Sequence, residues 1–164
     1  MPDIIPARMS AQLDGDFVVF LIGMRVNKWW KFWKWMPVAK AMPKMLTELA
    51  GRPELGLLHA RTVFGFPNLL VIQYWRSFEQ LHAYASDRSL QHLPAWREFN
   101  RKIASNGDVG IWHETYLVQV GAYDASTTTC QFGAWLPRVA WCLPRDSARA
   151  PRGACAKAMA RTSP

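Results

Sequence analysis

Residues 16–27 read DFVVFLIGMRVN, a run of β-branched and aromatic side chains with Asp14-Gly15 before it and a basic segment after. An apolar run of this length predicts a central strand buried on both faces. From Pro37 the period changes. Val38, Met42, Met45, Leu46 and Leu49 recur at helical spacing, and Gly51 and Pro53 mark the end. Pro37 suits a first helical turn, whereas Pro43 inside the pattern predicts a kink or a later start. Residues 55–66 and 69–76 read as two further strands, joined hairpin-fashion through Gly65-Phe66-Pro67-Asn68. Ser77, with Gln80 three residues on, is an N-cap candidate for a helix over Phe78–Ser86. A second helical stretch covers 90–104, with Pro94 near its start. Asn106-Gly107-Asp108 then turns the chain into a last strand over 109–121.

The order β-α-β-β-α-β is the split βαβ of an α+β, ferredoxin-like fold. One sheet with helices on one face leaves the other face uncovered. Such a face usually closes against a second copy, so a homodimer is expected.

The pattern accounts for residues 1–125 and stops there. Beyond it, 138–164 is rich in Ala, Arg, Pro and Ser without an apolar period, which predicts a disordered basic tail over 126–164. The full chain has 164 residues and a formal net charge of +8. Most of that excess, and all three cysteines (Cys130, Cys142 and Cys155), lies after residue 125. The high pI is therefore poor evidence for nucleic-acid binding by the domain, and no nucleic-acid partner is expected. The cysteines, irregularly spaced, suggest neither a zinc site nor a redox pair. No apolar run reaches the length of a transmembrane helix, and Met1-Pro2-Asp3 opens without a signal-peptide pattern. A cytoplasmic location is the expectation.

Several long stretches, DGDFVVFLIGMRVNKWW, PELGLLHARTVFG, QYWRSFEQLHAYASD, HLPAWREFNR and GDVGIWHETYLV, together resemble one family. It is a bacterial domain-of-unknown-function family, monooxygenase-like and related to a monooxygenase domain of the fumagillin pathway. The resemblance covers residues 1–125. It implies the dimeric α/β-barrel superfamily, which includes cofactor-free quinol-forming monooxygenases, haem-degrading enzymes and aldoxime dehydratases. Similar sequences continue after this point with a segment of the type Ile-Tyr-x-Asn-Met-Pro-x-(Phe/Trp)-Gly-Leu-Ala. Here codons 126–137 encode Ser-Thr-Thr-Thr-Cys-Gln-Phe-Gly-Ala-Trp-Leu-Pro. Shifted by one base, with permitted wobble, they read Leu-Tyr-Asn-Asn-Met-Pro-Val-Trp-Gly-Leu-Ala-Ala. This suggests a frameshift, one base lost near codon 126, and makes the cysteines and much of the basic charge accidental.

Strand parity supplies the candidate chemistry. Leu57, His59, Arg61 and Val63 alternate onto one face, as do Leu69, Val71, Gln73 and Trp75. Ile111, His113, Thr115 and Leu117 do the same in the last strand, and Arg25 falls on an alternating set of the first. If these faces meet, His59, Arg61, Gln73, His113 and Arg25 surround an apolar cavity of the small-ligand type. A register shift of one residue would instead send some of them to solvent or to a dimer seam. His113, between Trp112 and Glu114, is the first candidate for a general base, with His59 second. Arg61 and Gln73 are candidate oxyanion donors. His92 opens a motif in which Trp96 and Asn100 follow at helical spacing. The resemblance to haem-degrading enzymes places Asn27, Tyr84 and His92 near their site. However, Tyr84 stands where those enzymes use Trp, and the spacing to His92 is two residues short. Haem is thus the lesser alternative to an absence of cofactor.

Asn27–Met36 (NKWWKFWKWM) interleaves Trp29, Trp30, Trp33 and Trp35 with Lys28, Lys31 and Lys34. Such a segment suits an anionic membrane surface, single-stranded nucleic acid, or a sheet edge or dimer interface covered by the indoles. Two functional readings stand together. One is a cofactor-independent monooxygenase acting on an apolar aromatic or polyketide-like molecule. The other is a non-catalytic ligand-binding or membrane-surface-associated dimeric domain.

Overall fold

The computed structural model describes residues 8–102, 106–128 and 140–142. In chain order the strands are β1 (Arg8–Gln12), β2 (Phe17–Val26), β3 (Leu57–Gly65), β4 (Asn68–Trp75), β5 (Val109–Val118), β6 (Ser126–Thr128) and β7 (Ala140–Cys142). The helices are α1 (Phe32–Ala50), α2 (Phe78–Ser86) and α3 (His92–Lys102), with a 3-10 turn at Pro53–Leu55. They fall into two units, one of residues 17–117 and one joining residues up to 16 with those from 118 onward.

The 17–117 unit has the expected α+β, ferredoxin-like architecture. Its sheet runs in the order β3-β4-β2-β5, so the strand predicted to be central is an inner one. β2 and β4 pair antiparallel from Val18↔Trp75 to Arg25↔Asn68. That register puts Val18, Phe20, Ile22 and Met24 on one face with Trp75, Gln73, Val71 and Leu69. The helices cover this face. At one end Val18, Leu49, Trp75, Leu81, Tyr84 and Leu90 form a buried cluster. At the other, Met24, Val26, Phe99 and Val109 pack with Trp35, Val38 and Ala39 of α1. Full burial of a side chain such as Leu49 contributes about 1.5–3 kcal/mol.

Three local features correct or refine the sequence pattern. α1 begins at Phe32, not at Pro37, and carries both Pro37 and Pro43 inside it. The early turns persist despite two missing amide donors because Trp35, Val38 and Ala39 pack on the sheet and the Trp35 indole donates to the carbonyl of Trp29 at 3.0 Å. Ser77 caps α2 as expected, accepting from the Gln80 amide at 3.3 Å. The Gln80 side chain does not close the box; its amide donates to the Glu54 carbonyl instead. It also lies where a side chain on Gly56 (φ 93°) would have to stand, so that turn requires glycine. Finally, between Leu57 and His59 the β3–β4 register shifts, so that Leu57 faces Trp75 but His59 faces Tyr74.

Asn106-Gly107-Asp108 forms the predicted turn, with Gly107 at φ 67° and the Asn106 side chain accepting from the Asp108 amide at 3.0 Å. The Asp108 carboxylate is buried and pairs with Lys28 at 3.0 Å and Lys31 at 3.1 Å, tying this turn to the segment after β2.

In the other unit, β1 pairs antiparallel with β6 (Arg8↔Thr128 to Ser10↔Ser126) and with β7 (Ser10↔Cys142 to Gln12↔Ala140). The Tyr123 hydroxyl accepts from the Leu13 amide at 2.6 Å. The expectation of a structureless tail from residue 126 therefore needs correcting at 126–128 and 140–142. Backbone ladders form without an apolar period when a partner strand satisfies their amides and carbonyls. Cys130, Cys155 and the rest of the basic stretch lie outside the described residues.

Candidate functional site

A cavity of about 380 Å³ lies between α1, α3 and the helix-covered face of the sheet. Ile22 and Ile111 form its floor, Trp33, Val38, Met42 and Met45 its α1 wall, and Trp96 and Phe99 its α3 wall. Trp96 and Phe99 stack, with ring centroids 5.7 Å apart. Ala41 and Ala95 leave the space between the helices open, and the two methionines give that wall an adaptable surface. A smaller cavity of about 50 Å³ shares Ile22, Val38, Met42 and Ile111 with it. The polar groups on the larger cavity are Lys34, His92 and Glu98. An apolar enclosure with few polar groups is the usual form of a small-molecule site.

His92 is positioned at the first turn of α3 by a 3.0 Å contact from Nδ1 to the carbonyl of Ala85, the next-to-last residue of α2. A carbonyl only accepts, so Nδ1 carries the proton and the neutral ring keeps its lone pair on Nε2. A second-helix carbonyl thus fixes the tautomer that a general base requires.

Of the candidates, His92 and Trp96 line the cavity, Tyr84 lies beside His92 with ring centroids 6.0 Å apart, and the others stand away from the wall. Gln73 and Trp75 lie in the core, where the Trp75 indole donates to Gln73 Oε1 at 2.8 Å. Tyr84 is buried beside Trp75, its hydroxyl 3.2 Å from Glu48 Oε2, and burial followed by that carboxylate pushes the phenol well above its ordinary range. His113 shares the cavity side of the sheet, 5.7 Å from the Phe20 ring, but it is exposed and not part of the cavity wall. Asn100 is exposed on α3, also away from the wall.

His59, Arg61, Arg25 and Trp112 belong to the opposite face. The shift at Leu57/His59 reverses the parity of β3, so His59 stacks on Tyr74 at 6.3 Å and Arg61 opposes Ile72. Burial raises the Tyr74 phenol and the nearby Arg61 charge partly offsets that rise. Arg25 is paired with Asn68 in the set that points away from the helices. The Trp112 ring lies over Gly23, where any Cβ would collide with it. The single pocket of His59, Arg61, Gln73, His113 and Arg25 expected from alternation is therefore not formed. Of the three residues of the haem alternative, Tyr84 and His92 lie together, ring centroids 6.0 Å apart, whereas Asn27 is tied to the turn before β5. The Asn27 amide donates to Gly107 at 3.1 Å, and the Tyr84 hydroxyl is held by Glu48.

Sequence reasoning missed Trp33, Lys34 and Glu98 as cavity residues, and read Val38, Met42 and Met45 only as a helical pattern. Their helical spacing was visible, but spacing alone does not distinguish a filled seam from an open one. In the aromatic segment only Trp35 packs on the core; Trp29, Trp30, Phe32 and Trp33 are 55–62% exposed. Among the described residues no helix is long and apolar enough to cross a membrane.

Comparison with known proteins agrees with this architecture. Monooxygenase af470 of Aspergillus fumigatus is 26% identical over 159 residues, 79% of this chain and 53% of that protein. The chain thus spans about half the length of this relative. Crystalline aldoxime dehydratase in complex with butyraldoxime superposes with a TM-score of 0.61 at 14% identity, over 80% of this chain and 39% of that one, a likeness of fold. A cofactor-independent oxygenase from Streptomyces nogalater gives a TM-score of 0.45 at 12% identity, over 62% of this chain and 91% of that one. The family model for monooxygenase af470-like proteins matches residues 17–132, beginning and ending later than the 1–125 assigned from motifs. The chain belongs to the monooxygenase af470-like family.

Proposed function

We propose that this protein is a cofactor-independent monooxygenase whose substrate, an apolar aromatic or polyketide-like molecule, sits in the cavity between α1 and α3. The observation that carries this reading is a 380 Å³ apolar enclosure holding one histidine of fixed tautomer. His92 takes the role of base in place of His113 and His59. It removes a proton from an acidic CH₂ group of the substrate, and Lys34, on the same cavity, offsets the charge of the enolate that forms. The carbanion gives one electron to dioxygen, and the radical pair joins as a hydroperoxide that takes up the proton. Loss of water then leaves a carbonyl, so that CH₂ and O₂ become C=O and H₂O.

The test is oxygen consumption with anthrone-type and phenolic substrates, for the wild type and for Ala41→Trp, which fills the cavity. Uptake by the wild type that Ala41→Trp abolishes is expected. Binding of such molecules without oxygen uptake would favour the ligand-binding domain, and a Soret shift with hemin would favour a haem protein.

Two further elements belong to this reading. The sheet face away from the helices carries Val19, Leu21, Val63, Leu70 and Ile72, an apolar set suited to a second copy, so a homodimer is proposed. The frameshift near codon 126 is proposed as well. Resequencing that locus decides it, since an intact frame without a neighbouring indel in close relatives would overturn it.

A further inference from the structure

The cavity and the exposed aromatic segment share two residues, Trp33 and Lys34. Around that shared edge the chain is one-sided in charge. From residue 17 to residue 47 there are six basic residues, Arg25, Lys28, Lys31, Lys34, Lys40 and Lys44, and no acidic one. Two carboxylates from elsewhere in the chain reach this region: Asp108, only 2% exposed, lies between Lys28 and Lys31, and Glu98 of α3 borders the cavity with Lys34. Lys40 and Lys44 are exposed further along α1. Beside this basic strip stand Trp29, Trp30, Phe32 and Trp33. Exposed indoles among lysines, here in the turn before α1 and in its first turn, are the composition of an element lying in a membrane interface, rings at headgroup depth and ammonium groups at anionic lipids.

We propose that the segment from Lys28 to Lys44 docks the protein on an anionic lipid surface, with the Trp33–Lys34 edge of the cavity toward it. The substrate is then a lipophile taken from the bilayer. This last point rests on the cavity being the substrate site. The charge argues against a second copy as the occupant, because a self-complementary contact would set lysine against lysine. The ring geometry argues against single-stranded nucleic acid. Trp29 and Trp30 meet at 85° and Phe32 and Trp33 at 82°, so neighbouring rings present edges to one another and offer no run of parallel faces for successive bases.

Co-sedimentation with vesicles of phosphatidylcholine, alone or with phosphatidylserine, tests the docking. The expected result is binding to the anionic vesicles at least tenfold tighter than to the neutral ones, and weakened by high salt. Trp29→Ala/Trp30→Ala and Lys40→Gln/Lys44→Gln should each lose at least tenfold in this binding while unfolding at the wild-type temperature. Equal binding to neutral vesicles, or unchanged binding by both variants, overturns the proposal. Tighter binding to a single-stranded oligonucleotide than to vesicles overturns it in favour of nucleic acid, and a change of oligomeric state in Trp29→Ala/Trp30→Ala in favour of a second copy.

Cavity loading is read separately. Protein released by salt from anionic vesicles loaded with N-phenyl-1-naphthylamine should carry the dye, whereas Ala41→Trp should bind the vesicles and carry none. Docking without dye transfer would overturn the bilayer source of the substrate. Oxygen uptake that fails while vesicle binding persists would overturn the enzymatic reading and leave the docking intact.

Discussion

The Trp75 indole donates a 2.8 Å hydrogen bond to Oε1 of Gln73, two residues earlier on the same strand. Both side chains point at the helices and both are buried, at 1% and 5% exposure. A polar group in that position needs a partner, and here the two partners are supplied by one strand.

Replacing Gln73 by Leu strands the indole N–H in an apolar core. The expected cost is about 1–3 kcal/mol of stability, measured by denaturant unfolding. Trp75→Phe should cost less in the Gln73→Leu background than in the wild type, because there the indole it removes carries an orphaned donor. A strictly additive double variant would show that the bond contributes nothing.

Tyr84 gives a prediction of opposite pH sense to an ordinary acid unfolding. Its phenol is raised well above the usual 10.0, first by burial and then by Glu48, so the folded state prefers the protonated ring. That preference contributes stability fully below pH 10 and loses it as pH rises above that value toward the folded titration. Tyr84→Phe should be destabilised by about 0.5–1.5 kcal/mol at neutral pH and should show a shallower alkaline decline. Glu48 keeps a partner in the variant, since it also accepts from the Gln91 amide at 3.0 Å. An unchanged alkaline slope in Tyr84→Phe would remove Tyr84 from the account.

Much of the 17–117 unit was legible because its signals are local. The apolar run of β2, the hairpin residues 65–68, the Ser77 cap and the Asn106-Gly107 turn each act within a few residues, and each marks the element observed there. The candidate site was less legible because it depends on parity across strands. The register shift at Leu57/His59 is set by pairing with β4, and it sends His59 and Arg61 away from Gln73. His92 was read as a binding residue and not as the base, since its anchor, the Ala85 carbonyl, comes from a different helix. β1 was missed for a related reason: residues 8–12 pair with 126–128 and 140–142, and neither partner carries a strand pattern.

Asp108 makes the acid-side prediction. The lysine ammonium groups beside it, Lys28 foremost, hold its carboxyl below the ordinary 3.8, against a smaller opposing effect of burial. Its ion pairs therefore contribute stability above pH 4, and the contribution is lost as pH falls through the lowered folded value. Asp108→Asn should melt below the wild type at pH 7, and the gap should narrow as the pH falls below 3.8. A wild type and variant that differ equally at both ends of that range would show that the carboxylate charge is not what binds the turn to Lys28 and Lys31.

The two histidines on the helix side of the sheet give the most direct test of the chemistry. His92 borders the cavity with Nδ1 held by the Ala85 carbonyl, whereas exposed His113 rests near Phe20 outside the wall. A general base commonly contributes about 10²–10⁴-fold in rate. His92→Gln should therefore lower oxygen uptake by that order, while His113→Gln should stay within a few-fold of the wild type. Gln at 92 can still donate to Ala85, so the loss should appear in kcat with little change in melting temperature. If His92→Gln instead melts early and keeps its specific activity, His92 is a helix-to-helix strut and not the base. A full loss in His113→Gln with His92→Gln active would return the role to the last strand, through a movement of β5 that brings His113 to the cavity.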